Sequence, residues 1–245
     1  SVADMVKHHA VLYRDLADPL AILRHRDSTG LRDYWSYVPG GNNPDEGHRE
    51  YSQLMSSSLA LISDHILETY PLGDYRSLVD VAGGTGHFAR MVKKRYPNID
   101  ATVLDLPEVV SEAKRQFPQS DIRFAATDMF RSPLPQDTEL FSLVRVIHDH
   151  DDEPILNLLT RLHAALKPGG HLLIAEPMAG TPGAEPIGDT YFSFYLWAMG
   201  SGRPRTAKEL RAMCLAAGFS GIREFKTPIP ALTRVLVAEK ASRTL

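Results

Sequence analysis

Residues 1–70 place their apolar positions three and four apart. In VADMVKHHAVLYRDLAD and in REYSQLMSSSLALISDHILETY this is the rhythm of an amphipathic helix. Between them, STGLRDYWSYVPGGNNPDEG is rich in Gly, Pro and Asn and reads as a loop carrying aromatic residues. After Pro71 the rhythm changes to short β-rich runs alternating with helical stretches. SLVDVA is the first run and stops at Gly83-Gly84. GHFARMVKKRYP is a helix ended by Pro97. DATVLDL is a second strand, and Pro107 opens a helix at its first turn, where the missing N–H costs nothing. DIRFAAT and LFSLVRVI are the third and fourth strands. EPILNLLTRLHAALKPGG is a helix with a Pro-Gly-Gly stop, and HLLIAEP is a fifth strand. GDTYFSFYLWAMG and TAKELRAMCLAAGF are helices, and GIREFKT and TRVLVAEK are a last pair of strands.

Strands alternating with helices predict a parallel sheet covered on both faces. The last two strands are joined by little more than PIPAL, whereas a parallel crossover needs a dozen or more residues. That pair is therefore antiparallel. The expected fold is α/β: a seven-stranded, mostly parallel sheet with its last strand reversed, preceded by a helical segment. We divide the chain into a helical linker or lid at 1–70 and a ligand-binding domain at 71–245.

Composition narrows the function. The net charge of −3 gives no global basic field for nucleic acid. The local run Lys93-Lys94-Arg95 reads as a solvated helix face. A single cysteine, Cys214, lies among apolar neighbours and cannot form an internal disulfide, which suits a reducing, cytoplasmic setting. No apolar run reaches membrane-spanning length, and no signal peptide is evident.

LVDVAGGTGHFA puts Gly83, Gly84 and Gly86 between the first strand and the next helix, where backbone can turn sharply and a ligand can come close. Asp105 ends the second strand at the distance that suits a ribose hydroxyl. Gly84, Gly86 and Ala89 also satisfy the loose dinucleotide pattern, so this loop alone does not separate a nicotinamide cofactor from another nucleoside. Asp80 discriminates: a carboxylate is awkward beside a pyrophosphate and suits a ligand carrying an ammonium. In ATDMF, Asp128 offers an acceptor for an adenine amine and Met129 an apolar surface for its ring. Taken alone, Asp128 also reads as a turn residue.

LVDVAGGTGHFA, VLDLPEVV, TDMF, VIHDHDDE, LKPGGHLLIAEPM and TAKELRAMCLAAGF occur in the order and spacing of S-adenosylmethionine-dependent small-molecule O-methyltransferases of the plant caffeate and acetylserotonin type. The resemblance spans 35–240. Within the group the chain is most similar to bacterial carotenoid hydroxyl (hydroxyneurosporene or demethylspheroidene) O-methyltransferases, through MVKHHAVLYRDLADP, VRVIHDHDD and GDTYFSFYLWAMGSGRPRT; tetrapyrrole C-methyltransferases are also similar. It implies a Rossmann-like class I methyltransferase fold, S-adenosylmethionine as cofactor and S-adenosylhomocysteine as product. The cofactor residues it implies are Asp80, Gly83, Gly84, Gly86, Asp105, Leu106, Asp128, Met129, Phe130 and Arg145. Ala82 stands where the family has Gly, at small cost provided its φ is negative. The family normally opens with a winged-helix dimerisation domain. The chain is expected to start after it, which leaves a homodimer open.

The stretch VRVIHDHDDEP follows the fourth strand, at the sheet edge where ligands of open α/β folds bind. The resemblance makes His148 the general base that takes a hydroxyl proton. Glu176, ending the fifth strand, matches a family carboxylate that orients the base. The family's second such carboxylate falls near Pro204, which cannot act that way. His150 takes a tryptophan position and reads as structural. Asp151 and Asp152 read as caps of the following helix, and Asp149 either orients a neighbour or caps. A phenol has a pKa near 10. An aliphatic alcohol is far less acidic, so its proton would leave with or after methyl transfer. No metal is implied.

Aromatic and Met residues supply an apolar acceptor pocket: Trp35, Tyr37, Met55, Met178, Phe194, Trp197 and Met199. Each alone also reads as packing. The expected function is methyl transfer to a hydroxyl of a hydrophobic small molecule such as a carotenoid. The alternatives are tetrapyrrole C-methylation on the same fold and a cofactor-binding relative without turnover.

Overall fold

The computed structural model describes residues 2–24, 29–34 and 59–242. It opens with helices α1 (Val2–Asp15), α2 (Pro19–Arg24) and α3 (Gly30–Tyr34). A further helix, α4, covers 59–69 of the described residues. Then follow β1 (Ser77–Val81), α5 (His87–Arg95), β2 (Asp100–Asp105), α6 (Pro107–Gln116), β3 (Arg123–Ala126) and β4 (Thr138–Val144). A 3-10 turn (Ile147–Asp149) leads into α7 (Asp152–Ala165) and β5 (Leu166–Glu176). A π turn (Pro186–Tyr191) leads into α8 (Phe192–Met199), and α9 (Ala207–Ala216), β6 (Ser220–Phe225) and β7 (Arg234–Glu239) complete the chain.

The strands form one seven-stranded sheet in the order β3-β2-β1-β4-β5-β7-β6. β1 to β5 are mutually parallel, and β7 runs antiparallel to both its neighbours. The reversed strand expected from the short PIPAL connection is present, and it inserts between β5 and β6.

Alternation along the strands builds two layers. Leu78, Leu140, Leu173, Val235 and Val237 face Ile62 and Ile66 of α4 and Phe88 and Val92 of α5. Val79, Val81, Phe141, Leu143, Ile174 and Leu236 face Ile155, Leu158 and Leu162 of α7 and Leu210 of α9. A separate cluster joins Leu12, Ile22 and Leu31 of the first helices to Tyr195, Leu196 and Met199 of α8. The N-terminal helices thus anchor on α8.

Several boundaries differ from the sequence expectation. The segment read as a loop at 28–47 contains α3, because the Asp15 carboxylate at the end of α1 accepts the amides of Gly30 (2.9 Å) and Leu31 (2.9 Å) and so nucleates a helix turn. The remainder of that segment lies outside the described residues. β4 ends at Val144, three residues early, because Arg145 takes a left-handed φ of 57°. The Pro-Gly-Gly stop does end α7 at Ala165, yet the glycines join β5 instead of forming a loop. Gly169 N donates to Lys240 O (2.8 Å) and Lys240 N to Gly170 O (2.9 Å). Among the described residues no helix is long and apolar enough to cross a membrane.

Phe141 is fully buried between β4 and α7. Phe141→Ala is expected to lower the unfolding free energy by about 3–5 kcal/mol, measured by urea denaturation.

Candidate active site

The carboxyl ends of β1, β2, β3 and β4 surround a cavity of about 300 Å³, within the range of ligand sites. β1 delivers Asp80 and the turn Ala82–Gly84. β2 delivers Asp105 and Leu106, the turn after β3 delivers Asp128, Met129 and Phe130, and the segment after β4 delivers Arg145, Asp149 and His150. Of the residues that the resemblance marks for the cofactor, all but Gly86 lie on this wall. Gly86 caps α5 with a left-handed φ of 80° and packs against Ile122 and Phe124, so its role is local packing.

Asp80 is 1% exposed. One oxygen accepts the Ser142 hydroxyl at 2.6 Å, and the other, Oδ2, has no partner. Burial pushes its pKa up to about 7; the Ser142 bond opposes this and the Asp105 charge adds to it. A Cβ at Gly83 would lie 2.4 Å from that free oxygen, so only glycine leaves the approach open. Asp105 accepts the amides of Gly84 (2.7 Å) and Leu106 (2.8 Å), which tie β2 to the glycine turn. Burial nevertheless pushes Asp105 up to about 6. Each of its oxygens keeps lone-pair capacity for a hydroxyl. Asp128 is the turn residue that one of its two readings made it. Its Oδ1 accepts Phe130 N at 2.8 Å, closing its own turn, and it faces the cavity. Arg161 of α7 braces that turn by donating to the carbonyls of Met129 and Ser132.

Next to this wall is a buried charge cluster. Glu176 is 2% exposed. It accepts the backbone amides of Val146 (3.0 Å), Ile147 (2.6 Å) and His148 (3.0 Å), and His148 Nδ1 lies 2.9 Å away. His148 Nε2 lies 3.1 Å from Asp149 Oδ1. Burial works against the imidazolium, but the carboxylates of Asp149 and Glu176 outweigh it and lift His148 to about 9. Burial alone would raise Asp149; the His148 charge outweighs it and holds Asp149 below the usual carboxylate range. His150, half-buried and T-stacked on Phe130 at 5.0 Å, is shifted downward chiefly by desolvation. His148 does not itself line the cavity, but Asp149, which its Nε2 contacts, does.

Of the two alternatives for Asp149, the structure shows the contact with a neighbour: it is a second carboxylate at the imidazole, which the Pro204 position does not supply. The two cap readings need correction. Asp151 occupies the N-cap position of α7 without capping it, because its Oδ1 accepts Gly202 N at 3.0 Å. Asp152 pairs with Arg203 and Arg205. Arg205, 2% exposed, was not foreseen; a lone arginine after Gly-Arg-Pro carries no sequence signal of burial.

The acceptor residues are not gathered on this wall. Met178 (1% exposed) packs in the core beneath the sheet edge, and Met199 (0%) packs against α1 to α3. Phe194 is half-buried. Trp197 is partly exposed and donates its indole N–H to Ile22 O at 2.9 Å. Trp35, Tyr37 and Met55 lie outside the described residues. Among the described residues, Phe192 lies near the imidazole, with ring centroids 5.9 Å apart. Phe192 belongs to the aromatic run noted in the sequence but was not singled out. Among the described residues no cluster of His, Cys, Asp or Glu is arranged to hold a metal.

The sequence profile of the O-methyltransferase domain matches residues 13–220. The chain belongs to this family. It is 44% identical over 238 residues to a demethylspheroidene O-methyltransferase of Rhodobacter capsulatus, covering 96% of this chain and 60% of that protein. It is 36% identical over 220 residues to mouse acetylserotonin O-methyltransferase, covering 86% of this chain and 49% of that protein. The crystal structure of human N-acetylserotonin methyltransferase in complex with SAM superposes with a TM-score of 0.81 at 25% identity, covering 94% of this chain and 67% of that one. The chain thus spans well under the full length of the curated relatives it matches.

Ala82 has a φ of 53°, contrary to the negative value under which it would replace the family glycine cheaply. A left-handed residue with a Cβ costs roughly 1–2 kcal/mol. Ala82→Gly is expected to stabilise the protein by about 1 kcal/mol, part of the relief being offset by greater freedom of the unfolded chain; the denaturant midpoint reports it. A second expectation concerns His148. Its folded pKa of about 9 exceeds its ordinary 6.5, so its contribution to stability is complete below pH 6.5 and is lost as the pH rises through 9. Denaturation midpoints of the wild type should fall between pH 7 and 10, and His148→Gln should flatten that slope.

Proposed function

We propose that the chain is an S-adenosylmethionine-dependent O-methyltransferase acting on the hydroxyl of a hydrophobic small molecule, of the carotenoid class. The observation that carries this reading is the unpartnered, buried Asp80 oxygen in a cavity that Asp149, the neighbour and contact of His148, also lines. That oxygen is a counter-charge in need of a cation, and it suits the cofactor's ammonium. Asp105 suits the ribose hydroxyls, and Asp128, Met129, Phe130 and Leu106 suit the adenine edge and faces. In this reading residues 71–245 hold the cofactor and 1–70 cover the acceptor, and the single buried thiol Cys214 suits a reducing cytoplasm. The acceptor class comes from the demethylspheroidene O-methyltransferase relative.

S-adenosylmethionine, when bound, supplies an electrophilic methyl group on a sulfonium. The chain's residues do the rest. Asp105 and Asp128 hold the nucleoside and Asp80 the ammonium, and much of the rate comes from alignment of the acceptor oxygen with the methyl group. Neutral His148 takes the acceptor proton on Nε2, and Asp149, held 3.1 Å from that nitrogen, stabilises the imidazolium that forms. Glu176 holds Nδ1–H and so selects the tautomer. Phe192 and its neighbours exclude water on the acceptor side.

The test is calorimetry with S-adenosylhomocysteine and NAD, followed by mass spectrometry of demethylspheroidene, N-acetylserotonin and a simple phenol after incubation with cofactor. Binding of the homocysteine compound and a gain of one methyl on the carotenoid are expected. Binding of NAD alone sinks the reading. Two pH effects follow. Asp80 must be ionised to hold an ammonium, so cofactor affinity should weaken as pH falls through about 7. His148 must be neutral to accept a proton, so the turnover rate should climb with pH towards about 9.

A further inference from the structure

The segment 201–205 wraps the turn that carries His148. Ser201 Oγ donates to Asp149 O (2.7 Å), Gly202 N to Asp151 Oδ1 (3.0 Å) and Arg203 N to His148 O (3.0 Å). A Cβ on Gly202 would lie 2.0 Å from His148 O, so the two backbones are in direct contact. Arg205 completes the wrap from inside. Its Nη1 donates to Ile147 O (2.9 Å), its Nη2 to His150 O (2.8 Å) and its Nε to Asp152 Oδ1 (2.8 Å).

These bonds bracket His148 and Asp149 on both sides. Glu176 holds the amides of the turn, and Arg205 holds its carbonyls. The segment continues directly from α8, whose first residue, Phe192, approaches the imidazole. A planar, five-donor guanidinium is the group suited to spanning two carbonyls and a carboxylate at once. A lysine in its place would keep the charge and lose the span.

Resting on the methyltransfer reading above, we propose that Arg205 is a positioning residue: by bridging the carbonyls of Ile147 and His150 it fixes Asp149 against His148 at the cavity wall. It touches neither cofactor nor acceptor. Its effect is the place and protonation of the His148–Asp149 pair, and it links that pair to the α8 wall.

The sign of one titration separates positioning from mere bulk charge. Removing a positive charge near an imidazole, with nothing moved, raises the imidazole's midpoint. Releasing Asp149 from Nε2 lowers it. The experiment is a histidine NMR titration of the unliganded protein, with His148 assigned through His148→Gln, in wild type, Arg205→Lys and Arg205→Ala. The wild-type midpoint should lie near 9. It is expected to fall in Arg205→Ala and to recover in part in Arg205→Lys. Turnover in Arg205→Ala should drop by about 100-fold, while the dissociation constant for S-adenosylhomocysteine changes by less than about 3-fold. A midpoint that stays or rises in folded Arg205→Ala overturns the proposal. If that variant does not fold, an unmoved midpoint in Arg205→Lys overturns it equally. Failure of the wild type to bind S-adenosylhomocysteine instead overturns the functional reading and leaves the titration to judge Arg205 by itself.

Discussion

One buried carboxylate organises the site. After β4 the chain leaves the sheet through a left-handed residue and a single 3-10 turn, and the first amides of that turn have no helical partner. They are buried, so each needs an acceptor. Parallel pairing of β4 with β5 sets Val144 opposite Ala175, which puts Glu176 level with the start of the turn. Its two oxygens take three backbone N–H groups and the imidazole together. The position of His148 is thus a consequence of strand register. A neutral residue at 176 would leave several donors unmet in an interior where unpaired polar groups are costly.

Around that centre the protein holds groups that are poor choices for stability and good ones for a charged ligand. Asp80 and Asp105 are buried acids with raised pKa values, and the free oxygen of Asp80 has nothing in the protein to offset its desolvation. Ala82 and Arg145 both sit in left-handed backbone, on the turns after the neighbouring strands β1 and β4, and both line the cavity. Arg145 also has a buried Nε without a partner. Left-handed backbone and unmet polar capacity thus meet at the edge that lines the cavity, which is where strain is kept when a site needs it.

The residues that line the cavity were far more legible in the sequence than the apolar residues expected to receive an acceptor. Glycines at a strand-to-helix turn and acids at strand ends have positions set by local geometry, since every parallel strand delivers its last residue to the same edge. Asp80, Asp105 and Asp128 were placed by that rule, whereas Arg145 came only from the family resemblance. Met178, Phe194, Trp197 and Met199 sit on or near a helix, where a register of one residue decides between core, surface and pocket. That register depends on how α8 packs against α1 to α3, which no local pattern states.

By itself, the sequence determined the alternation of strands and helices, the reversal of the last strand through a connection too short to cross over, the glycine turn and the acids at the strand ends. These follow from periodicity, from proline and glycine stereochemistry and from chain length, all of which act over a few residues. Only the tertiary structure decided that β7 lies between β5 and β6, that Asp149 and Glu176 grip one imidazole from opposite sides, and that Arg205 closes the turn from 58 positions away. Those are contacts between segments distant in sequence. They arise because buried donors, acceptors and charges must be satisfied by whatever the completed packing brings beside them.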